Sequence, residues 1–173
     1  MHIRALTAPD VNLYRELRLR ALQESPTAFS SSYEREAAFP QSEFLKALQP
    51  HGDSVNRIFG AFDEENNQLV GILRFTRENG VKRAHIGGLW SMYVAPEYRG
   101  QHIGASLLDE ALNRAQTLGL RQVLLSVNAE NTVARRLYVA RGFERYGLEP
   151  DALLIGGRYY DEEHMIRRFK VGI

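Results

Sequence analysis

The sequence predicts a mixed α/β fold: one mostly antiparallel central sheet flanked by helices, in the order β-α-α-β-β-β-α-β-α-β-β. Three observations carry that expectation. Apolar residues recur at helical spacing in some segments and fill short β-rich runs in others. The strands in the middle of the chain follow one another through short polar connections. A long apolar-striped helix then separates the fourth strand from the fifth, as a crossover requires.

Residues 2–6 (HIRAL) form a short first strand. Thr7-Ala8-Pro9-Asp10 has the pattern of a capping box, with the Asp10 carboxylate three residues after Thr7. The helix that follows runs to about Glu24, places Leu13, Tyr14, Leu17 and Ala21 on one face, and is stopped by Pro26. A shorter helix is expected at 41–48. Strands at 57–62 (RIFGAF) and 68–76 (QLVGILRFT) are joined by polar DEENN, and Asn79-Gly80 gives a tight-turn signal. The fourth strand spans about 84–94 (AHIGGLWSMYV), where Gly87-Gly88 marks a bulge or a close backbone approach. The next helix carries Ile103, Leu107, Ala111, Ala115 and Leu118 at helical spacing, and Gly119 closes it. A strand at 121–127 (RQVLLSV), a helix from about Glu130 to Ala140, and strands near 143–148 and 163–170 follow.

At 173 residues the chain suits one domain, 1–173, large enough to bury a single core. The formal net charge of +1 argues against a broad nucleic-acid-binding face but leaves room for one local phosphate pocket. There are no cysteines, which excludes disulfides, thiolate nucleophiles and cysteine-ligated metals. No metal site is expected. The N-terminus lacks the apolar region of a signal peptide, and no apolar run approaches the ~18 to 20 residues that cross a bilayer. A soluble, cytoplasmic protein with no membrane or nucleic-acid partner is expected.

The stretch VAPEYRGQHIGASLL, residues 94 to 108, puts Arg99, Gly100 and Gly104 where a strand hands over to a helix. The first amides of a helix lack intrahelical partners, and the helix dipole adds fractional positive charge there. Glycines remove side chains that would keep an anion away, and Arg99 adds a full charge. The turn is therefore either a site for a pyrophosphate or a plain junction whose glycines serve packing. A second constellation follows in NAENTVARRLYVARGF, residues 128 to 143. Asn128 can cap its helix, and Val133, Ala134, Leu137 and Tyr138 form the buried stripe. Tyr138 taken alone reads first as a core aromatic with its hydroxyl satisfied.

Together the two motifs resemble the GNAT superfamily of N-acetyltransferases. Arg99-Gly100-Gln101-His102-Ile103-Gly104, followed by Ala105, is similar to the family's pyrophosphate loop, Gln/Arg-x-x-Gly-x-Gly/Ala, with Val94-Ala95-Pro96-Glu97-Tyr98 before it. The spacing of Asn131, Ala134, Leu137-Tyr138 and Gly142-Phe143 is similar to the second cofactor motif. His102 stands where the family has its first loop glycine, which raises the question of positive φ.

The resemblance implies the GNAT (acyl-CoA N-acyltransferase) fold and direct transfer of an acetyl group from acetyl-CoA to an amine. It implies that the fourth and fifth strands splay, and that backbone groups of Met92, Tyr93 and Val94 pair with pantetheine while an amide polarises the carbonyl. It casts Tyr138 as the acid that protonates the leaving thiolate. Relatives often place a carboxylate on the fourth strand to deprotonate the amine. HIGGLWSM has none, leaving Glu34, His85, Asp161 or a water chain as candidates. For the acceptor, Tyr33 and Glu34 in FSSSYERE, Trp90, and Tyr159 in IGGRYYDEE are candidate contacts, carboxylates and aromatic faces suiting a cation. Trp90 reads as core or as pocket wall. Homodimers are common in the family and are an expectation here. The leading acceptor is a small-molecule amine. The alternatives are a protein or peptide acetyltransferase, which needs an open groove, and a non-catalytic acyl-CoA-binding sensor.

Overall fold

The short polar connections in the middle of the chain produce antiparallel neighbours, as their lengths demand. A computed structural model describes residues 1–49 and 55–169. Among these, β1 (His2–Ala5), β2 (Arg57–Asp63), β3 (Gln68–Arg77), β4 (Ile86–Val94), β5 (Gln122–Asn128), β6 (Glu144–Ile155) and β7 (Arg158–Arg168) form one sheet, ordered β1-β2-β3-β4-β5-β7-β6. Every adjacent pair is antiparallel except β4–β5, which the helical crossover makes parallel. The helices are α1 (Val11–Glu24), α2 (Tyr33–Ala37), α3 (Gln41–Leu48), α4 (Ile103–Thr117) and α5 (Thr132–Ala140).

The two faces of the sheet are covered by different helices. One face packs on α4 and α5, where Leu107, Leu108 and Ala111 meet Leu73, Phe75, Leu89, Val123 and Leu125. Leu107 and Leu108 are fully buried, each contributing about 1.5–3 kcal/mol by the usual area relation. The other face takes α1 and α3, with Tyr14, Leu17, Phe44 and Leu48 against Ile58, Ile72 and Tyr93. The Asp10 carboxylate accepts from the Thr7 amide at 2.8 Å, as the capping pattern predicts, and binds Arg4 through both oxygens at 2.7 and 2.8 Å.

Several expectations change. The five residues of α2 are helical although they carry no legible repeat. Asn79-Gly80 is not a tight hairpin turn: Gly80 sits at φ −71°, not the positive φ such a turn requires, and a short 3₁₀ segment, Val81–Arg83, lengthens the connection. The bulge in β4 lies at Ser91, where the register against β3 slips, while Gly87-Gly88 is a close approach. β6 and β7 are far longer than expected and meet in a turn with Gly156 and Gly157 at positive φ. The expected end of the last strand at 170 lies outside the described residues. Val133 is 79% exposed rather than buried, so the inner stripe of α5 is Ala134, Leu137 and Tyr138. Asn131, not Asn128, caps α5: its side chain accepts from the Ala134 amide at 3.1 Å.

Candidate active site

Two strands that start as neighbours come apart. β4 and β5 pair only from Ile86↔Gln122 to Gly88↔Leu124, and then β4 runs on to Val94 and β5 to Asn128 unpaired with each other. The bulge at Ser91, with φ +56°, sits on the stretch of β4 that diverges. The splay expected from the resemblance is thus a feature of the sheet.

The 94–108 segment closes one end of that opening. A 3₁₀ turn, Pro96–Tyr98, leads to Gly100 at φ +79° and His102 at φ +60°, and α4 begins at Ile103. His102 therefore takes the left-handed conformation in which a glycine is least strained, and it is exposed. Ser106 closes the first helical hydrogen bond, on the His102 carbonyl at 3.0 Å. The amides of Ile103, Gly104 and Ala105 precede it and have no backbone acceptor among the described residues. A Cβ on Gly104 would lie 2.9 Å from Met92 Cε, so this glycine lets the start of α4 approach the diverging part of β4. Two backbone groups of the expected cofactor site are otherwise occupied. The Arg99 amide donates to the Pro96 carbonyl, and Arg99 Nε donates to the Val94 carbonyl at 2.9 Å, so neither that amide nor that carbonyl is open. Tyr93 turns its side chain to the α1 face, where its hydroxyl donates to Glu24.

From the other side of the opening α5 supplies Tyr138. Its hydroxyl lies 3.4 Å from Met92 Sδ, and its ring meets Phe143 edge-on at 5.8 Å. Burial alone pushes the phenol up to about 12. Asn131 spends its side-chain oxygen on the α5 cap, and its amide donates to the Asn128 carbonyl. Asn128 ends β5, nearly fully buried. Its Oδ1 accepts from the Glu130 amide at 2.8 Å, but its Nδ2 has no partner among the described residues.

The acceptor candidates are not gathered into one place. Trp90 is 53% exposed, hence not core, with its indole Nε1 on Thr76 Oγ1 at 2.9 Å and lying over Gly88. Tyr33 is half-buried on α2 against the α1-side core, and Glu34 beside it is exposed. Tyr159 is 59% exposed and alternates with Tyr160, away from the side of β7 that carries Glu162 and His164. Of the candidate bases, His85 is exposed, and Asp161 Oδ1 accepts from the Asp151 amide at 2.9 Å. The sequence reading missed a cluster on the α1 side of the sheet. Ser126 Oγ is 2.8 Å from His164 Nδ1, and His164 Nε2 is 3.1 Å from Glu149 Oε2. The only sequence signal for it was strand alternation, which does not reveal register.

No helix of the described residues is long and apolar enough to cross a membrane, and among those residues no cluster of His, Asp or Glu is placed to hold a metal. The acetyltransferase (GNAT) family model matches residues 18–143. A spermidine N(1)-acetyltransferase of Vibrio cholerae is 30% identical over 138 residues, which cover 79% of this chain and 75% of that protein. A putative phosphinothricin acetyltransferase of Bacillus subtilis is 27% identical, covering 64% of this chain and 68% of its own. A crystal structure of a GNAT acetyltransferase from Streptococcus pneumoniae superposes with a TM-score of 0.83 at 25% identity, covering 97% of this chain and 99% of that one. With matching fold, loop and family model, the chain belongs to the GNAT family of acetyltransferases.

Proposed function

We propose that this protein transfers the acetyl group of acetyl-CoA directly to a primary amine of a small molecule. The carrying observation is the delivery of the Tyr138 hydroxyl from α5 to Met92 where β4 and β5 have parted. Three features suit acetyl-CoA. The amides of residues 103 to 105 have no backbone acceptor among the described residues and sit at the positive end of the α4 dipole, which suits an anion, with Arg99 four residues before them in the chain. Gly104 lets the start of α4 come close to Met92 on the diverging part of β4. The orphaned Nδ2 of Asn128 offers a buried donor to a carbonyl of the pantetheine arm. When bound, acetyl-CoA supplies the thioester; the protein's share is to bind, orient and manage protons.

Three demands fall on the residues. The diphosphate is held by the α4 amides and Gly100–His102, with Arg99 turning from the Val94 carbonyl to phosphate. Backbone groups of Met92 and Tyr93 line the parted strands for pantetheine. Tyr138, which stays protonated through neutral pH, donates to the departing sulfur. The relatives named for spermidine and phosphinothricin support a small amine acceptor. Trp90, Tyr33 and Glu34, which the sheet leaves on the α1 side, are the contacts this reading assigns to it.

The test combines calorimetry with acetyl-CoA and a thiol-release assay across polyamines, amino acids, aminoglycosides and peptides. Micromolar-range binding and turnover with a small primary amine are expected. Binding without thiol release from any amine would favour a non-catalytic binding module, and turnover confined to peptides would move the acceptor class.

A further inference from the structure

Transfer to an amine needs two proton movements at opposite ends of the reacting centre. The leaving sulfur gains a proton, and the attacking ammonium first loses one. Val123, Leu125 and Val127 of β5 point to the α4–α5 core with Tyr138, so Ser126, between them, points to the other face. On β7, Glu163 and Met165 face α5, where Glu163 binds Arg135 at 2.8 Å, which sends His164 to the Ser126 side. Ser126 and His164 are register partners, and Ser126 lies just beyond the last β4–β5 pair, on the lip of the parted strands.

The hydrogens in this cluster follow from its acceptors. A carboxylate only accepts, so Glu149 at 3.1 Å places the imidazole hydrogen on Nε2. Nδ1 is then an acceptor, and the Ser126 hydroxyl donates to it at 2.8 Å. Tyr146 lies against the imidazole, with ring centres 5.9 Å apart.

We propose that Ser126, His164 and Glu149 form a proton relay that strips the acceptor ammonium on the face of the sheet opposite Tyr138. This rests on the acetyltransferase reading of the same site. The ammonium N–H proton passes to Ser126 Oγ as the Ser126 hydrogen passes to His164 Nδ1. The imidazolium so formed is paired with Glu149, and the neutral amine is left with its lone pair for attack. The half-exposed Glu149 end returns the proton to water. Ser126 touches the substrate and is the catalytic residue; His164 and Glu149 act through it.

The surroundings agree. Glu149 and Glu162 are directly opposed in the β6–β7 ladder, and like charges so placed repel. Burial first, and then Glu149, holds the Glu162 carboxyl above the usual carboxylate range, with His164 acting the other way. An incoming ammonium relieves that repulsion. Among the described residues, β5 contributes Ser126 to this patch, β6 adds Tyr146 and Glu149, β7 adds Glu162 with Arg158, Tyr160 and Arg168 further along the same face, and the Pro26–Ala28 turn against β5 and β6 carries no ionisable side chain.

The test uses His164→Asn, which keeps a partner near the Nδ1 position but cannot take a proton, with Ser126→Ala and the double variant. At pH 7 each single variant is expected to lower kcat/KM for the amine by about 10²–10³-fold, the range of a positioned base, with acetyl-CoA affinity and Tm unchanged. The deficit should shrink as pH rises and solvent deprotonates the amine, and the double variant should lose little more than either single one. Unchanged kcat/KM, or a loss of equal size at every pH, overturns the relay. Long-range ¹H–¹⁵N spectra of the full chain read the His164 tautomer without turnover; a hydrogen on Nδ1 in the neutral ring overturns the relay whatever the activity. A wild-type chain that binds acetyl-CoA yet acetylates no amine sinks the acetyltransferase reading itself, which is a different result from a wild type that works and variants that match it.

Discussion

Tyr138 keeps its proton because water cannot reach it. Its side chain is almost wholly enclosed by the α4–α5 core, and the cost of desolvating a phenolate moves its ionisation to about 12. Its one hydrogen-bond partner among the described residues, the Met92 thioether, is a weak acceptor, so the hydroxyl is easily redirected to a better one. Tyr138→Phe removes the donor while the edge-on contact with Phe143 stays. Turnover should drop about 10²-fold with acetyl-CoA affinity retained, as read by single-turnover kinetics and calorimetry. The protonated phenol is the active form and its pKa is raised, so the wild-type enzyme should lose no rate to its ionisation through pH 10. Unchanged turnover with chemistry rate-limiting would remove the phenol from the acid role. Tyr138 was legible in the sequence because a local spacing, Leu137-Tyr138 with Gly142-Phe143, announces it. Ser126 and His164 were not, because they lie 38 residues apart and only the β5–β7 register brings them together.

At the scale of elements, the bend in β4 is what opens the site. Ile72 and Arg74 of β3 face Tyr93 and Trp90, so β4 carries one residue more than its partner, and Ser91 takes φ +56°. A non-glycine residue there costs about 1 kcal/mol or more. Arg18 holds it, with Nη1 3.2 Å from Ser91 Oγ, and is itself gripped by Glu36 at 2.7 and 2.9 Å and laid over Phe29 at 4.7 Å. Burial works to raise the Glu36 carboxyl, yet the hydrogen bonds and charge of Arg18, with help from Ser31 and Arg35, bring it below its usual value. Glu36→Gln leaves a buried guanidinium without its counter-charge, and a loss of about 3–5 kcal/mol is expected in urea unfolding. Glu130→Gln, whose partner Arg158 is as exposed as Glu130 is, should change nothing measurable. Equal, small effects would mean the buried pair does not hold the bulge. None of this could be read from the sequence, since a bulge is a property of register between strands. The helices with a clear apolar stripe, α1 and α4, were legible for the converse reason. The cap of α5 was misplaced by three residues because Asn128 and Asn131 are equally good cap formers, and only the burial of Asn128 at the end of β5 decides between them.

Across the whole molecule, the two faces of the sheet divide the proton chemistry, and along the α1 side the carboxylates differ in the sign of their contribution to stability. On the α1 side near the N-terminus, carboxylates are paired. Hydrogen bonds from Arg4 first, then from Thr7, outweigh burial and hold Asp10 down at about 2. Such a group stabilises the fold above its unfolded-state pKa, near 3.9, and that contribution is lost as pH falls toward 2. Glu162 carries the opposite sign. Its carboxyl is raised, so the folded state binds the proton more tightly than the unfolded chain does, and stability is lost as pH rises from the ordinary carboxylate range through the raised folded-state value. That loss persists at neutral pH as the cost of setting Glu162 opposite Glu149. Glu162→Gln should therefore stabilise the protein at pH 7 by about 0.2–1 kcal/mol, the range of a cross-strand pair, and by nothing at pH 3, where wild-type Glu162 is already neutral. The contributions of Asp10 and Glu36 are common to both proteins and cancel in the difference. The same substitution should raise KM for a cationic amine, because the repulsion that destabilises the empty site is what an ammonium relieves. Thermal unfolding at the two pH values and amine titration at saturating acetyl-CoA read the two effects separately. A gain in stability that is equal at both pH values, or a KM that does not move, would mean that Glu162 is a structural surface residue and plays no part in drawing the acceptor to the sheet.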